Sequence, residues 1–366
     1  MKALLLVSEL EDYTISFASG VAQHMPVVLG VPRRRYAHLA SWFDPAVDLH
    51  LLDWPRHRSL ANPWFLHQLT RLIRHEQPNI IHLLSNSTLW LNFAAPFWRP
   101  IPLVTTVHDV EVHPGDSDTR TLPGWAPELM VRQSGHVVVH GEGLKRMVLD
   151  RYSKSPDCVH VLSHPAIHRY AELARRQNMA RRAADGTVRV LLFGRIFAYK
   201  GLEYLIRAEA MLKDALPNLH ITVAGRGDDP WVFKSLMGEA GRYDIRNRFI
   251  EDEEVARLFL DADIVVLPYT EASQSGVLNL AAAFGKPVIV TDVGELRATV
   301  EPNGLGMVVP PGNAEELAKA IRILADNSEL RNNLGANALE WATGPNSPEQ
   351  VGARAAAVYR EVVGSC

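Results

Sequence analysis

The sequence predicts two consecutive α/β domains, each built on a parallel β-sheet. The chain has 366 residues, which exceeds one ordinary core of about 100 to 200 residues and suits two. Short apolar, β-branched runs alternate with segments long enough for a helix, and this alternation is typical of a buried parallel sheet. It is interrupted once, by a polar, arginine-rich stretch at residues 166–186, and then restarts.

The first domain is expected to cover residues 1–165 and the second residues 187–345, with 166–186 as the linker. The strands expected in the first domain are the runs Ala3–Val7, Pro26–Val31, Asn79–Leu84, Ile101–Val107, His136–Val139 and Val159–Leu162. Those expected in the second are Val188–Phe193, Leu219–Ala224, Ala262–Leu267, Pro287–Thr291 and Gly306–Val309.

The last segment, residues 346–366, is predicted to be a helix. Ser347, Pro348 and Glu349 suit a cap and a first helical turn, and apolar residues follow at helical spacing. One option is that this helix returns to the first domain, although the pattern alone does not say where it packs.

Composition excludes several classes of protein. Apolar residues make up 47% of the chain and charged residues 22%, and no apolar run approaches the roughly 20 residues that span a bilayer. The first residues do not have the pattern of a secretory signal, which favours the cytoplasm. Two distant cysteines, Cys158 and Cys366, exclude a disulfide framework. A net charge of −3 gives no broad footprint for nucleic acid.

The most informative stretch follows the first strand of the second domain. That strand ends in Gly194 and Arg195, and Lys200 comes five residues later. Arginine offers a planar fork to phosphate oxygens and lysine a compact charge, so the pair suits a diphosphate. Taken alone, such a pair is more often a solvated loop.

Two further turns add to this pattern. The strand Leu219–Ala224 is followed by Gly225 and Gly227, where backbone can approach a ligand closely. The third glycine of a dinucleotide fingerprint is missing, which disfavours an oxidoreductase. Further on, Ser275 and Gly276 precede an apolar helical pattern, and the start of that helix would direct N–H groups at an anion. Capping of the helix by Ser275 is an equal alternative.

These segments together resemble retaining glycosyltransferases of family 4. The blocks that carry the resemblance are GRIFAYKG, VAGRGD, PYTEASQSG and FGKPVIVTDVGEL, in this order, and the subgroup with an EASQSG segment is the nearest in pattern. The first half matches weakly, through TVHDV, VVVHGEGLKR and SHP. The resemblance implies the GT-B fold, two Rossmann-like domains facing across a cleft, and a role in bacterial surface polysaccharide assembly.

By this resemblance, Arg195, Lys200, Ser275 and Gly276 hold the donor diphosphate, while Gly194, Gly225 and Gly227 line the donor site. Glu271 is expected to face the donor sugar. The family's second glutamate is missing, and Asn279 stands near its place. The fixed cations replace a metal ion, so no metal and no cofactor is expected beyond the nucleotide sugar itself.

In the first domain, His108 and Asp109 follow the strand Ile101–Val107 and are the candidate catalytic pair. His108 is the expected acceptor-side or sugar-contacting group, and Asp109 is expected to orient its imidazole. A structural histidine is the equal alternative. Residues His113 and Asp116 are weaker candidates. The triplet Asp116-Ser117-Asp118 is rejected as a metal site, because it lies in a polar loop and the diphosphate-binding cations belong to the other domain.

The acceptor is expected to be a glycan or a lipid-linked molecule. Arg33–Arg35 with the aromatic residues Trp90, Phe93, Phe97 and Trp98 suggest peripheral contact with the inner membrane face, against a solvated loop and core aromatics as the alternative. The rival functions are a sugar-nucleotide epimerase on the same fold and a non-catalytic protein that binds sugar nucleotides or glycans; a phosphorylase would need a longer chain and a pyridoxal cofactor.

Overall fold

The computed structural model describes residues 1–110 and 122–365, and these form two compact units. One unit contains residues 1–110, 122–165 and 346–365, and the other contains residues 166–345. Each unit has a parallel sheet between helices, so the predicted fold class of two α/β domains is confirmed.

The sheet of the first unit has seven parallel strands in the order β3-β2-β1-β4-β5-β6-β7. Their bounds are β1 Ala3–Leu6, β2 Val27–Pro32, β3 Val47–Leu52, β4 Ile80–Leu83, β5 Leu103–Val107, β6 His136–Val139 and β7 Val159–Val161. The helices up to the end of this part of the chain are α1 Glu11–Ala22, α2 Arg33–Tyr36, α3 Asn62–Glu76, α4 Leu91–Ala94, α5 Trp125–Gln133 and α6 Glu142–Tyr152.

The sheet of the second unit has six parallel strands in the order β10-β9-β8-β11-β12-β13. Their bounds are β8 Val188–Phe193, β9 Leu219–Gly225, β10 Tyr243–Asn247, β11 Ile264–Leu267, β12 Val288–Thr291 and β13 Gly306–Val309. The helices of this unit are α7 Arg169–Arg176, α8 Leu202–Leu212, α9 Asp252–Asp261, α10 Gly276–Ala283, α11 Leu296–Val300, α12 Ala314–Asp326 and α13 Ser328–Thr343. The terminal helix α14, Pro348–Gly364, belongs to the first unit.

Both faces of each sheet are covered, which explains the uninterrupted apolar strands. In β1, Leu5 packs into a core with α1 and α14, whereas Leu4 and Leu6 pack on the other face with α3. Because successive side chains of a strand point to opposite faces, a strand buried on both faces must be apolar throughout.

Two strands, β3 and β10, are absent from the sequence-based prediction. Each lies at one edge of its sheet. Their sequences, VDLHLL and YDIRN, mix polar with apolar residues, because an edge strand is only partly covered. The continuous apolar run that revealed the other strands is therefore missing in these two.

The segment 166–186, expected to be a linker, contains helix α7. Ala166 and Ile167 before this helix, and Tyr170 and Ala174 on it, pack into the core of the second unit. The buried guanidinium of Arg169 pairs with the carboxylate of Asp252 at the start of α9. The structure thus assigns this segment to the second unit, and its polar appearance comes from the exposed residues at the end of α7 and after it, 175–178 and 180–186.

The terminal helix α14 packs closely against α1 at two glycines. A Cβ atom on Gly20 would lie 1.9 Å from the carbonyl oxygen of Pro348, and one on Gly352 would lie 2.1 Å from the carbonyl carbon of Gly20. The two backbones therefore touch at a point where no other residue fits. Helix α14 also places the Tyr359 hydroxyl against the Nδ1 atom of the buried His82 on β4.

We expect Gly352→Ala to destabilise the protein by about 1 to 3 kcal/mol or more, because the added methyl meets backbone that cannot give way. Gly364→Ala, in the same helix, has open space around the added Cβ and should be neutral. Chemical denaturation of both variants measures the difference. Equal stability of the two variants would contradict the close crossing of α1 and α14.

Candidate functional site

The loop that follows β8 is held against the loop that follows β9. The Ile196 N–H donates to the Arg226 carbonyl oxygen at 2.9 Å, and the Asp228 N–H donates to the Ile196 carbonyl oxygen at 2.7 Å. The parallel pairing of the two strands is thus resumed in the loops beyond their ends. This pairing fixes the backbone on either side of Arg195.

Glycines make this approach possible. A Cβ atom on Gly225, whose φ is +144°, would lie 1.8 Å from the Gly194 carbonyl oxygen, and one on Gly227 would lie 2.1 Å from the Ile196 carbonyl oxygen. Gly194 itself has a φ of +114°, which side chains rarely tolerate. The three glycines predicted to line the donor site therefore shape the loops, while contact with a ligand stays a prediction.

A second pair of loops meets where β8 and β11 end. The loop after β8 closes with a short turn over Ala198–Lys200, and a Cβ atom on Gly201 would lie 1.8 Å from the Pro268 carbonyl oxygen. The Thr270 N–H donates to the Tyr199 carbonyl oxygen at 2.8 Å. Because β8 and β11 are neighbours in the sheet, the turn that carries Lys200 lies beside the loop that begins with Pro268.

Tyr269 is the buried centre of this arrangement. The Lys200 Nζ atom lies 3.7 Å from the centre of the Tyr269 ring, a distance that suits attraction between a cation and the ring. Burial raises the pKa of Tyr269 to about 12, while a hydrogen bond with Ser275 and the charge of Arg195 act in the opposite direction. Tyr269 thus links Lys200 to Ser275 at the start of α10, a role that the sequence pattern does not reveal.

The start of α10 is formed by Ser275 and Gly276. Ser275 has an extended backbone and makes no side-chain capping hydrogen bond, because its hydroxyl pairs with the Tyr269 hydroxyl at 3.2 Å. The alternative that Ser275 caps the helix is therefore not what the structure shows. The first turn of α10 carries no acidic residue, so its N–H groups and the positive end of its dipole suit an anion.

Glu271 and Asn279 differ in their surroundings. Glu271 is exposed in the loop between β11 and α10, and its contact with the donor sugar stays a prediction. Asn279 is buried, and its amide donates to the Ser275 carbonyl oxygen at 3.2 Å. This bond gives Asn279 a role in holding the first turn of α10.

Lys286, in the FGKPVIV segment, is a structural residue. It is buried and its ammonium group donates to the carbonyl oxygens of Leu260 and Ala262 at 2.9 and 2.8 Å. These carbonyls lie at the end of α9, where a cation is favoured. Burial lowers the pKa of Lys286 to about 8.

In the first unit, three histidines lie among the polar residues at the carboxyl ends of the strands: His108, His140 and His164. His108 follows β5 and His140 follows β6; the His140 Nε2 and His108 Nδ1 atoms lie 3.1 Å apart. The other nitrogen of His108, Nε2, donates to the Leu84 carbonyl oxygen at 2.8 Å. Both ring nitrogens of His108 thus face protein atoms, so the ring presents no nitrogen to a sugar in this conformation.

His164 and Tyr13 complete this group. The Tyr13 ring lies 4.9 Å from both the His108 and His164 rings, and 5.4 Å from the His140 ring. Burial lowers the pKa of His164 to about 4. Neither His140, in the segment VVVHGEGLKR, nor His164, in SHP, is among the site residues predicted from the sequence. The only signal available was that each of them follows a strand.

The remaining predicted residues of the first domain are Asp109, His113 and Asp116. Asp109 follows His108, and its charge raises the pKa of that imidazole against the larger effect of burial. His113, Asp116 and the triplet Asp116–Asp118 lie outside the described residues.

Within the described residues, Asp48, His50 and Glu76 place ligand atoms within 4.8 Å of one another. Glu76 already pairs with the Lys2 ammonium at 3.1 Å, which favours an ion pair over a bound metal. No helix in residues 1–110 and 122–365 combines the length and the apolar character that crossing a membrane requires.

Comparisons with known proteins bear on both units. The family model described as "Glycosyl transferases group 1" matches residues 175–341, and the model "Glycosyltransferase Family 4" matches residues 11–166. Each model covers most of one unit. The chain belongs to the glycosyltransferases with the GT-B fold.

Two relatives are similar in sequence to this glycosyltransferase over most of their length. An alpha-D-kanosaminyltransferase from Streptomyces kanamyceticus is 27% identical over 277 residues, which are 72% of this chain and 71% of the relative. A D-inositol 3-phosphate glycosyltransferase from Arthrobacter sp. is 26% identical over 333 residues, 82% of this chain and 77% of the relative.

Solved structures agree on the fold. HepE of Anabaena, crystallised with UDP-glucose, aligns over 100% of both chains with a TM-score of 0.72 and 17% identity. A glycosyltransferase from Rickettsia africae gives the same TM-score and identity over 100% of this chain and 99% of its own. A UDP-GlcNAc 2-epimerase from Neisseria meningitidis aligns over 100% of both chains with a TM-score of 0.62 and 14% identity, so the fold alone does not separate transferase from epimerase.

The buried His164 should make the glycosyltransferase less stable in acid. The folded pKa of His164 is about 4 against 6.5 for an ordinary histidine, so between these values the unfolded state binds more protons and stability falls as the pH falls. This loss reaches roughly 3 kcal/mol by pH 4 for His164.

We expect His164→Asn to reduce this slope, because its amide can still donate to the Pro165 carbonyl oxygen that His164 Nδ1 faces at 2.9 Å. Urea denaturation between pH 7.5 and 4.5 measures the slope. The exposed His67 provides the control, His67→Asn, which should keep the wild-type slope. An unchanged slope in His164→Asn would rule out His164 as a source of acid lability.

Proposed function

We propose that the protein is a retaining glycosyltransferase that moves a sugar from a nucleotide diphosphate donor to a glycan or lipid-linked acceptor. The observation that carries this proposal is the arrangement around Tyr269. Two cations, Arg195 and Lys200, lie beside the start of α10, whose first turn has neither a side-chain cap nor an acidic residue. The named UDP and UDP-glucose complexes of HepE support a nucleotide sugar as the ligand of this fold.

The chemistry follows from where charge develops. As the bond between the sugar and the diphosphate breaks, negative charge grows on the phosphate oxygens. Fixed cations and helix N–H groups stabilise that charge more in the transition state than in the bound substrate, and this difference accelerates the reaction. In this proposal Arg195 and Lys200 hold the diphosphate, and backbone N–H groups from Gly276 onward complete the site.

A metal ion is not required in this scheme. Positive charge is supplied by side chains that are already fixed, Arg195 by the paired loops and Lys200 by the contact of Gly201 with Pro268. Metal ions in other transferases supply the same charge. We therefore propose a reaction without metal or cofactor, in which exposed Glu271 faces the donor sugar.

The acceptor is proposed to bind at the carboxyl ends of β1, β4, β5 and β6 in the first unit. Polar residues lie there in a largely apolar sheet: Glu9 after β1, Ser85 after β4 and Asp109 after β5. Burial raises the pKa of Glu9, which would favour its protonated form as a hydrogen-bond donor. A role in bacterial surface polysaccharide assembly remains part of this proposal and rests on resemblance.

Replacing either cation should strongly reduce sugar transfer. We expect Arg195→Ala and Lys200→Ala each to lower kcat/KM by roughly 100-fold, since each removes a group aimed at developing charge. Screening nucleotide sugars by thermal stabilisation identifies the donor first. The matched control is Lys213→Ala, because Lys213 is exposed immediately after α8, the helix at whose other end Lys200 lies.

The same assay separates the rival interpretations. Transfer that both cation variants retain in full would refute the diphosphate assignment. Activity that is lost in excess chelator and restored by manganese would refute the metal-independent scheme. Conversion of the donor sugar without any acceptor would indicate an epimerase, and donor binding without turnover of any acceptor would indicate a binding protein.

The proposed lipid-linked acceptor is supported by an aromatic surface on the first unit, formed by Phe93, Phe97 and Trp125. These side chains are 52%, 70% and 49% exposed, and the Phe93 and Trp125 rings lie 6.5 Å apart. Of the aromatic residues suggested from sequence, Trp98 is instead a core residue at 3% exposure.

The charge of the surrounding sequence favours an anionic partner. Residues 54–108 contain one acidic side chain, Glu76, and five arginines: Arg56, Arg58, Arg71, Arg74 and Arg99. The basic loop suggested from sequence contributes less, because Arg33 pairs with Asp53 and Arg35 pairs with Glu11. We propose that the aromatic surface rests on an anionic lipid surface.

We expect the double substitution Phe93→Ser and Phe97→Ser to weaken binding to vesicles of phosphatidylglycerol and phosphatidylcholine by roughly tenfold. Co-sedimentation measures the binding. The control is Trp231→Ser, which removes an aromatic residue of the second unit that is 47% exposed. Equal binding by wild type and the double variant would exclude this surface as the membrane contact.

A further inference from the structure

A chain of hydrogen bonds crosses the carboxyl edge of the sheet in the first unit. Leu84, His108, His140 and Leu162 are the first residues after β4, β5, β6 and β7. The His108 Nε2 atom lies 2.8 Å from the Leu84 carbonyl oxygen, the His108 Nδ1 and His140 Nε2 atoms are 3.1 Å apart, and the His140 Nδ1 atom lies 2.8 Å from the Leu162 carbonyl oxygen. Because these four strands are neighbours in this order, the chain of hydrogen bonds links the carboxyl ends of all four.

The carbonyl oxygens of Leu84 and Leu162, at the two ends of this chain of hydrogen bonds, determine which histidine nitrogens carry a hydrogen. A carbonyl oxygen only accepts hydrogen bonds, so the His108 Nε2 and His140 Nδ1 atoms must each carry a hydrogen. A neutral imidazole has only one N–H, which leaves both inner nitrogens without a hydrogen. Two lone pairs then face each other across 3.1 Å. One additional proton, shared by the two inner nitrogens, completes all three hydrogen bonds.

We propose that His108 and His140 form a single proton-binding unit, and that its one added proton fixes the loops after β4, β5, β6 and β7 in the geometry that receives the acceptor. His140 is then a positioning residue that acts through His108. The assignment of these loops to the acceptor rests on the proposed function, whereas the shared proton does not.

The titratable groups that face the pair are Tyr13, His82, His164 and Asp109. Tyr13 on α1 faces both rings, and burial keeps its hydroxyl neutral by raising its pKa. Burial lowers the pKa of His82 on β4 to about 3 and that of His164 after β7 to about 4. The Asp109 carboxylate next to His108 is the anion that favours protonation of the pair.

The direction of the pH dependence is set by burial. Burial lowers the pKa of both His108 and His140, and the carbonyl contacts and Asp109 oppose it only in part. The pair therefore takes up its proton only at a pH below the pKa of an ordinary histidine. As the pH falls through this step, the hydrogen-bonded chain becomes complete and the KM for the acceptor should fall, with kcat changing less.

Nitrogen NMR of the full-length protein labelled in histidine tests the shared proton directly. We expect His108 and His140 to report one step at the same pH, with both outer nitrogens protonated throughout. Two independent steps would overturn the proposal. So would two neutral rings that keep unprotonated inner nitrogens at every pH at which the protein stays folded.

Two substitutions of His140 separate positioning from simple packing. In His140→Gln, the amide takes the place of Nε2 and donates to His108 Nδ1 at every pH, so the His108 step should disappear and the acceptor KM should become independent of pH. In His140→Asn, the amide can still donate to Leu162 but not to His108, so His108 should titrate alone and the acceptor KM should rise severalfold.

The control is His160→Gln in the other histidine pair of this unit, where His136 and His160 lie 3.0 Å apart at partly exposed positions. This variant should leave the His108 step unchanged. An unaltered His108 step in His140→Gln would refute the shared proton. If the NMR result holds but no acceptor is found, the proposed function fails and the proton-binding pair stands.

Discussion

The close approach of backbone segments at the carboxyl edge of the second sheet is the constraint on which the candidate donor site depends. Three contacts, of Gly225 with Gly194, of Gly227 with Ile196 and of Gly201 with Pro268, have no space for a Cβ atom. They fix the loops after β8, β9 and β11 to one another. The cations at Arg195 and Lys200 are held by this backbone, so their separation does not depend on the flexibility of long side chains alone. Charges held in this way need little rearrangement of the protein when a diphosphate leaves.

The two sheets present opposite chemistry at equivalent edges. In the second unit the edge carries the cationic side chains of Arg195 and Lys200. In the first unit the edge carries His108, His140 and His164, whose burial lowers the pKa of each. A donor with a fixed negative charge suits the cationic edge of the second unit. A neutral, hydroxyl-bearing acceptor suits the histidine-bearing edge of the first unit, where hydrogen bonds and their direction matter more than charge.

The central strands and the two-domain organisation could be predicted because burial on both faces leaves a continuous apolar run. The edge strands β3 and β10 could not, since their partial exposure admits polar residues. Glycines at Gly194, Gly225 and Gly227 were nominated for ligand contact, yet the structure shows that backbone approach already requires Gly225 and Gly227. Tyr269 was part of a quoted segment, but its burial beneath Lys200 depends on β8 and β11 being neighbours. Strand order is a property of the whole sheet, and no local pattern encodes it.

The role of His108 also depends on strand order, and for this reason it differs from the role that the sequence suggests. A histidine after a strand looks like a residue that meets the substrate, and only the positions of Leu84 and His140 reveal that both its nitrogens are engaged. A ring held in this way can still influence a bound sugar, because it sets the position of its neighbour Asp109 and of the loops on either side. Proton uptake by the pair would strengthen that hold without any contact with the substrate. The acceptor side of the enzyme would then be organised by a hydrogen-bond network that is itself titratable, while the donor side is organised by backbone that is not.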